Sequence, residues 1–190
     1  MGLKEQVAAV EDFLKNIKEN APPKIDGQVL STALELICEC GLQKNEIQDI
    51  KVDSLIYNKN NTLTAIQIPG NPPFINVTGR ALTILNAYVN YFESLPNYVA
   101  ASNPFLFPKY RNVKAIERDI NKFSGDIGVQ KIHKFGVKKH FQELLDQGVS
   151  EKDSLKDTAK QFRMTERGVK QLIDNKIQVA GLPKESDYVV

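Results

Sequence analysis

Four lysines, Lys131, Lys134, Lys138 and Lys139, crowd a nine-residue stretch together with His133, and His140 follows directly. Such a run either covers a solvated helix face or grips the phosphates of a nucleic acid, for which clustered ammonium groups supply the attraction. Residues 1–108 carry 8 basic and 11 acidic side chains, residues 109–170 carry 15 and 9, and residues 171–190 carry 2 and 3. The positive excess therefore sits around the lysine run, a distribution that suits a polyanionic partner although the whole chain is only +2. A second candidate is the segment Ser154 to Ile173, in which Ala159, Val169 and Leu172 have the spacing of a helix-turn-helix core. Thr165 would cap its second helix and leave Glu166, Arg167 and Lys170 exposed, with Arg163 where the turn glycine usually stands. The same residues equally describe a packing helix pair with a solvated basic face. Metal chemistry finds no support. Cys38 and Cys40, two apart in a helical pattern, point in different directions. His133 and His140 share a face only if one helix contains both, and Gly136 with a helix start near Val137 argues against that. Gly70 and Gly79 make no phosphate-binding fingerprint, because no strand–glycine–helix unit frames them.

The elements that must position these residues can be read from periodicity. Val7, Val10, Leu14 and Ile17 define an amphipathic helix over Glu5–Asn20, ended by Ala21-Pro22-Pro23. Asp26 caps a second helix carrying Val29, Leu30, Ala33, Leu34, Ile37 and Cys38 and closed by Gly41, and a short third helix runs from Lys44 to Ile50. Leu55–Tyr57 and Leu63–Ile68 read as strands joined through Asn58-Lys59-Asn60-Asn61, and Phe74–Val77 as a third. A helix from Thr78 to Phe92 follows, with Leu82, Leu85, Val89 and Phe92 on one face. Ser94–Asn112 is a connection with three prolines, and helices are expected at Val113–Phe123, Val137–Gln147, Ser154–Arg163 and Thr165–Asp174.

Gly41-Leu42, Glu46, the hairpin, Leu106-Phe107-Pro108 and Lys139-His140 occur in the order of motifs in the catalytic domain of tyrosine recombinases (the phage integrase family), which the chain resembles from about Lys24 to Asn175. In that family a helix ends in Gly-Leu-Arg with a Glu three residues after the Arg, a loop ends in Leu-Phe-Pro, and a His-x-x-Arg-His box precedes a helix ending in a Gly-Val step, here Gly148-Val149. The resemblance implies two arginines on the scissile phosphate, a hairpin lysine as general acid, histidines around the phosphate and a tyrosine nucleophile, groups that together are the catalyst for phosphoryl transfer. At those places this chain has Gln43 and Lys139 for the arginines, Gly136 for the first histidine with His140 retained, Phe162 for the late histidine and Gln171 for the nucleophile. No lysine falls near Pro69–Asn71, and Tyr188 lies seventeen residues beyond Gln171. Lysine keeps the charge of an arginine but not its bidentate fork, and without a hydroxyl nucleophile no phosphotyrosine forms.

The expected fold is α+β, mainly α: a recombinase catalytic-domain-like helical bundle with a small antiparallel sheet. One domain over residues 1–180 is expected, with an N-terminal helix at 1–23, a family-like core at 24–175 and a flexible tail at 181–190. The family's N-terminal DNA-clamping domain has no counterpart in the sequence. The expected function is that of a non-enzymatic, integrase-like DNA-binding protein from a mobile element, phage or plasmid. Its DNA contacts would come from Arg111, Lys134, Lys138, Lys139, His140, Arg163, Thr165, Arg167 and Lys170. The alternatives are a protein-interaction module on the same scaffold and a helix-turn-helix regulator using residues 154–173. No cofactor or metal is expected; a protein partner or a second copy is compatible with the near-neutral charge. No apolar run approaches the roughly 18 residues of a membrane helix, and Met1 to Gln6 has no signal-peptide core, so a cytoplasmic location is expected.

Overall fold

The chain was analysed as a computed structural model that describes residues 3–70, 73–95, 105–123 and 127–174. The tail at 181–190, Tyr188 and Asn103-Pro104 of the proline-rich connection lie outside the described residues.

Helix α1 (Leu3–Asn20) buries Val10, Leu14 and Ile17 on one stripe, as their spacing requires. Asp26 then caps α2 (Gly27–Cys40) by accepting a hydrogen bond from the Val29 amide at 3.1 Å, and its other carboxylate oxygen accepts from the Tyr91 hydroxyl at 2.7 Å. Eleven of the fourteen residues of α2 are buried, the mark of a central helix; it packs against α1 and against two later helices, α4 (Gly79–Glu93) and α6 (Val129–Asp146). Gly41, at φ 68°, closes α2 in the left-handed region that favours glycine. One helical turn follows, α3 (Lys44–Ile47), shorter than the expected Lys44–Ile50.

Strands β1 (Leu55–Tyr57), β2 (Leu63–Gln67) and β3 (Phe74–Asn76) form an antiparallel sheet in that order. The register sets Ile66 opposite Leu55 on one side and Ile75 on the other, all three buried. In the hairpin turn the Asn58 side chain accepts from the Asn60 and Thr62 amides, at 2.9 and 3.0 Å, and Asn61 takes a left-handed φ of 56°. On α4 the inward face is Ala81, Leu85, Tyr88 and Phe92. Leu82 and Val89, expected there, are only partly buried, because Tyr88 turns inward: its ring stacks on Phe107 at 4.9 Å and its hydroxyl donates to the Leu106 carbonyl at 2.8 Å.

Helix α5 (Val113–Ile120) precedes α6, and α7 (Glu151–Gln161) with α8 (Glu166–Asp174) completes the described chain. The start of α6 differs most from expectation, eight residues before Val137. Gly136 does not break it. A Cβ at Gly136 would overlap the Cys38 carbonyl oxygen, so glycine is what lets α6 and α2 cross in backbone contact. Most of the buried apolar side chains form one cluster, while Val137, Ala159, Phe162 and Val169 form a smaller one that fastens α7 and α8 to α6. The result is a mainly helical α+β fold with a small antiparallel sheet, as expected. No helix among the described residues is long and apolar enough to cross a membrane.

Candidate nucleic-acid interface

Two recesses of equal size, each about 540 Å³, open along α6. The first lies at its N-terminal half. Its wall is the segment Leu42–Asn45 after α2, its floor the first turns of α6 with Val129, Gln130, His133 and Lys134, and its far side α8 with Gly168, Gln171 and Leu172. Lys44, Lys134, His133 and the carboxamides of Gln43, Asn45, Gln130 and Gln171 supply its polar groups, and among the described residues no carboxylate lines it. Lys44 pairs with Glu117 at 2.6 Å; Lys134 is exposed and has no ion-pair partner among the described residues.

Arg163 fixes the geometry of this cleft from behind. It stands in the turn between α7 and α8 at φ 53°, where a glycine would be unstrained. Its guanidinium donates to both oxygens of Glu46, the second at 2.6 Å, and to the Gly41 carbonyl at 2.9 Å. Glu46 is buried and also accepts from the Gln43 amide at 2.7 Å, so one carboxylate caps α3 and holds the turn before α8. His133 stands edge-on to Phe162 at 5.5 Å. Burial, and next the positive charge of Arg163, hold its imidazole below the ordinary histidine value, while Glu46 and a hydrogen bond to the Gly41 backbone act the other way.

The second recess lies at the C-terminal half of α6 and has the opposite character. Glu11, Glu39 and Glu143 line it together with Arg80, Lys139 and His140. Lys139 Nζ sits 2.5 Å from Glu39, 3.1 Å from Glu11 and 3.8 Å from Glu143, while Arg80 bridges Glu11 and Glu35 at 3.0 Å each. Burial alone would lower the Lys139 pKa, but the hydrogen bonds and charges of Glu39 and Glu11 outweigh it and hold the ammonium above the usual lysine range. Desolvation acts the other way on Glu35 and Glu143, whose carboxyls are pushed up.

The residues expected to contact DNA are thus divided. Of these, Lys134 lines the first cleft, where it meets Gln43 and Gln171, which stand where the resemblance placed an arginine and the nucleophile. Thr165 caps α8 by accepting from the Gly168 amide at 3.0 Å, and Arg167 and Lys170 are exposed on the same helix. Lys138 and Lys139, expected on the phosphate-gripping face, are buried, 5% and 8% exposed; Lys139 is tied to carboxylates and Lys138 has its pKa lowered by desolvation. Arg163 is engaged by Glu46. Arg111 is exposed, its guanidinium 4.0 Å above the Phe105 ring and outside the cleft lining. Gly136 is buried at the α2 crossing and cannot stand for a catalytic histidine, and Phe162 is buried between His133 and His140, whose rings lie 5.5 and 5.9 Å away. The two histidines do belong to one helix, contrary to the expectation. His133, Gln130, Asn45 and Met164 join the cleft without having been singled out for it. Reading the apolar series Val129, Ile132, Phe135 through Gly136 would have extended α6 backward and set His133 beside Lys134. Cys38 and Cys40 are buried thiols whose pKa values burial raises, Cys40 to about 12.

No protein-family model matches the chain, and no curated protein matches it. Among solved structures it is similar to the crystal structure of XerA recombinase, with a TM-score of 0.60 over 87% of this chain and 58% of that one, at 12% identity. The chain therefore spans little more than half the length of that recombinase, and the likeness is one of fold. It overturns the expectation that the chain is not an enzyme: the fold is shared with a recombinase, and substitutions at Gln43, Gly136 and Gln171 are no demonstration of inactivity. What the likeness establishes is a recombinase catalytic-domain-like scaffold, mainly helical with a small antiparallel sheet.

Proposed function

We propose that the chain is an integrase-like DNA-binding protein that meets DNA with the cleft at the start of α6 and the exposed face of α8. The observation that carries this reading is the chemistry of the cleft lining: two lysines, a histidine and four carboxamides, with no carboxylate among the described residues, beside Arg167 and Lys170 on α8. Positioning on a nucleic acid comes mainly from phosphate contacts by cationic side chains, here Lys134, Arg167 and Lys170, and a carboxylate beside them would repel the backbone. Origin in a mobile element, phage or plasmid goes with this reading through the resemblance to integrases alone.

The test is a titration of the full chain with random duplex DNA at two salt concentrations. Affinity should fall with salt, and Lys134→Ala, Arg167→Ala and Lys170→Ala should each flatten the log–log slope by roughly 0.9, one phosphate contact apiece. Absence of binding at low salt overturns the reading. A protein-interaction role has one observation in its favour: Ile56, Tyr57 and Phe74 are large apolar side chains exposed on the sheet, at 37%, 42% and 44%, and exposed apolar surface can mark a protein contact. Replacement of all three by Ser should leave DNA binding unchanged if the cleft is the DNA site.

A further inference from the structure

We infer that the cleft at the start of α6 reads the edge of a single unpaired nucleobase, with the rim lysine on a flanking phosphate. The inference rests on the DNA-binding reading above and deepens it. A phosphodiester presents only acceptors, so a site built for it gathers donors, above all the arginine fork. The lining contains no arginine. Its polar groups are dominated by the carboxamides of Gln43, Asn45, Gln130 and Gln171, each offering an oxygen acceptor as well as an NH₂ donor. Half of that capacity would repel a phosphate, whereas a base edge alternates donors and acceptors and is the natural partner of an Asn or Gln amide. Asn45, Gln130 and Gln171 are exposed rather than sequestered in the core. His133 adds an imidazole to the same lining.

The walls agree. Leu42, Val129, Met164 and Leu172 give the cleft an apolar lining, which gains nothing from a hydrated phosphate but desolvates the flat face of a base; a methionine sulfur also packs favourably against aromatic rings. A volume of about 540 Å³ lies within the usual range for small organic ligands. A paired base is held in its stack and presents only its groove edges, so the occupant is a base already freed from pairing, as at a bulge, a gap or a single-stranded end. Lys134, exposed at the rim, is placed for the neighbouring phosphate.

The experiment compares three DNA ligands with the full chain at one low salt concentration: a perfect duplex, the same duplex with one unpaired adenine, and the duplex with an abasic residue in place of that adenine. The unpaired adenine is expected to bind about tenfold more tightly than the perfect duplex, and the abasic residue to lose the gain. Gln171→Leu and Met164→Ala should each bring the ratio of unpaired-adenine to perfect-duplex affinity, both measured on the same variant, to within about twofold of one; Lys134→Ala should weaken all three ligands alike and leave that ratio in place. Two variants from different walls guard against a folding defect in either one. Equal affinity for all three ligands overturns the base-reading inference and leaves the DNA-binding reading standing. Binding of none of them overturns both.

Discussion

The cleft and the groove along α6 have the same volume and draw on the same lysine-rich run, yet they use it in opposite ways. At the N-terminal half Lys134 faces solvent among carboxamides; at the C-terminal half Lys139 is enclosed by Glu39, Glu11 and Glu143. Two cations five residues apart on one helix are thus an exposed ammonium group and a buried ion-pair centre. What separates them is the partner surface. The end of α6 lies against α1 and α2, which bring Glu11 and Glu39 from 128 and 100 residues away in sequence, whereas its start faces the loop after α2 and α8.

Removing charge from the two halves should break this contrast. Lys139→Ala leaves Glu39 and the half-exposed Glu11 facing each other without their shared cation, and is expected to cost about 3 kcal/mol in urea unfolding, with DNA affinity of the folded fraction unchanged. Equal stability in the variant would mean that the groove network is ornamental. Arg163→Ala, which takes from the buried Glu46 its cation and keeps a strained left-handed residue in the turn, should cost about 2–3 kcal/mol, and Arg163→Gly less, because glycine relieves that strain. Arg163→Gly compared with Arg163→Ala therefore separates clamp from strain.

Gly136→Ala tests the crossing itself. The added methyl meets backbone rather than a yielding side chain, so a loss of about 2 kcal/mol is expected, seen as a lowered melting temperature. A smaller effect should come from pH. His133 and His140 both have pKa values lowered by burial. Above the ordinary histidine value both folded and unfolded chains are neutral there, and the two residues add no pH dependence. As pH falls below about 6.5 the unfolded chain takes up protons that the folded chain resists, so stability declines with falling pH. Replacing both with Gln should flatten the unfolding free energy between pH 7 and pH 5. The smallest stability effect, within about 0.5 kcal/mol, is expected for Lys134→Ala, the variant with the clearest effect on DNA.

Much of this molecule was legible in one dimension because local physics wrote it there. Val10, Leu14 and Ile17 mark α1 by their spacing, Asp26 and Gly41 bracket α2 with a side-chain cap and a left-handed turn, and the asparagine-rich turn joins two short strands rich in apolar residues. The order of Gly41-Leu42, Glu46, hairpin and Leu106-Phe107-Pro108 was enough to suggest the recombinase-like scaffold. Glu46 was noticed as part of a motif, but its role as the anchor of Arg163 was not visible, because the pair is 117 residues apart in sequence.

Gly136 misled for a similar reason. Isolated in the chain, glycine weakens a helix; against the α2 backbone it is what permits the helices to touch, and only the packed structure supplies that second surface. The opening lysine run shows the limit most clearly. Composition and charge determined that the 109–170 segment is basic and that any polyanion should be sought there. Which of its lysines face water and which are consumed by carboxylates was decided by tertiary structure alone, because an ion pair depends on distance in space, and the carboxylates that claim Lys139 come largely from the other end of the chain.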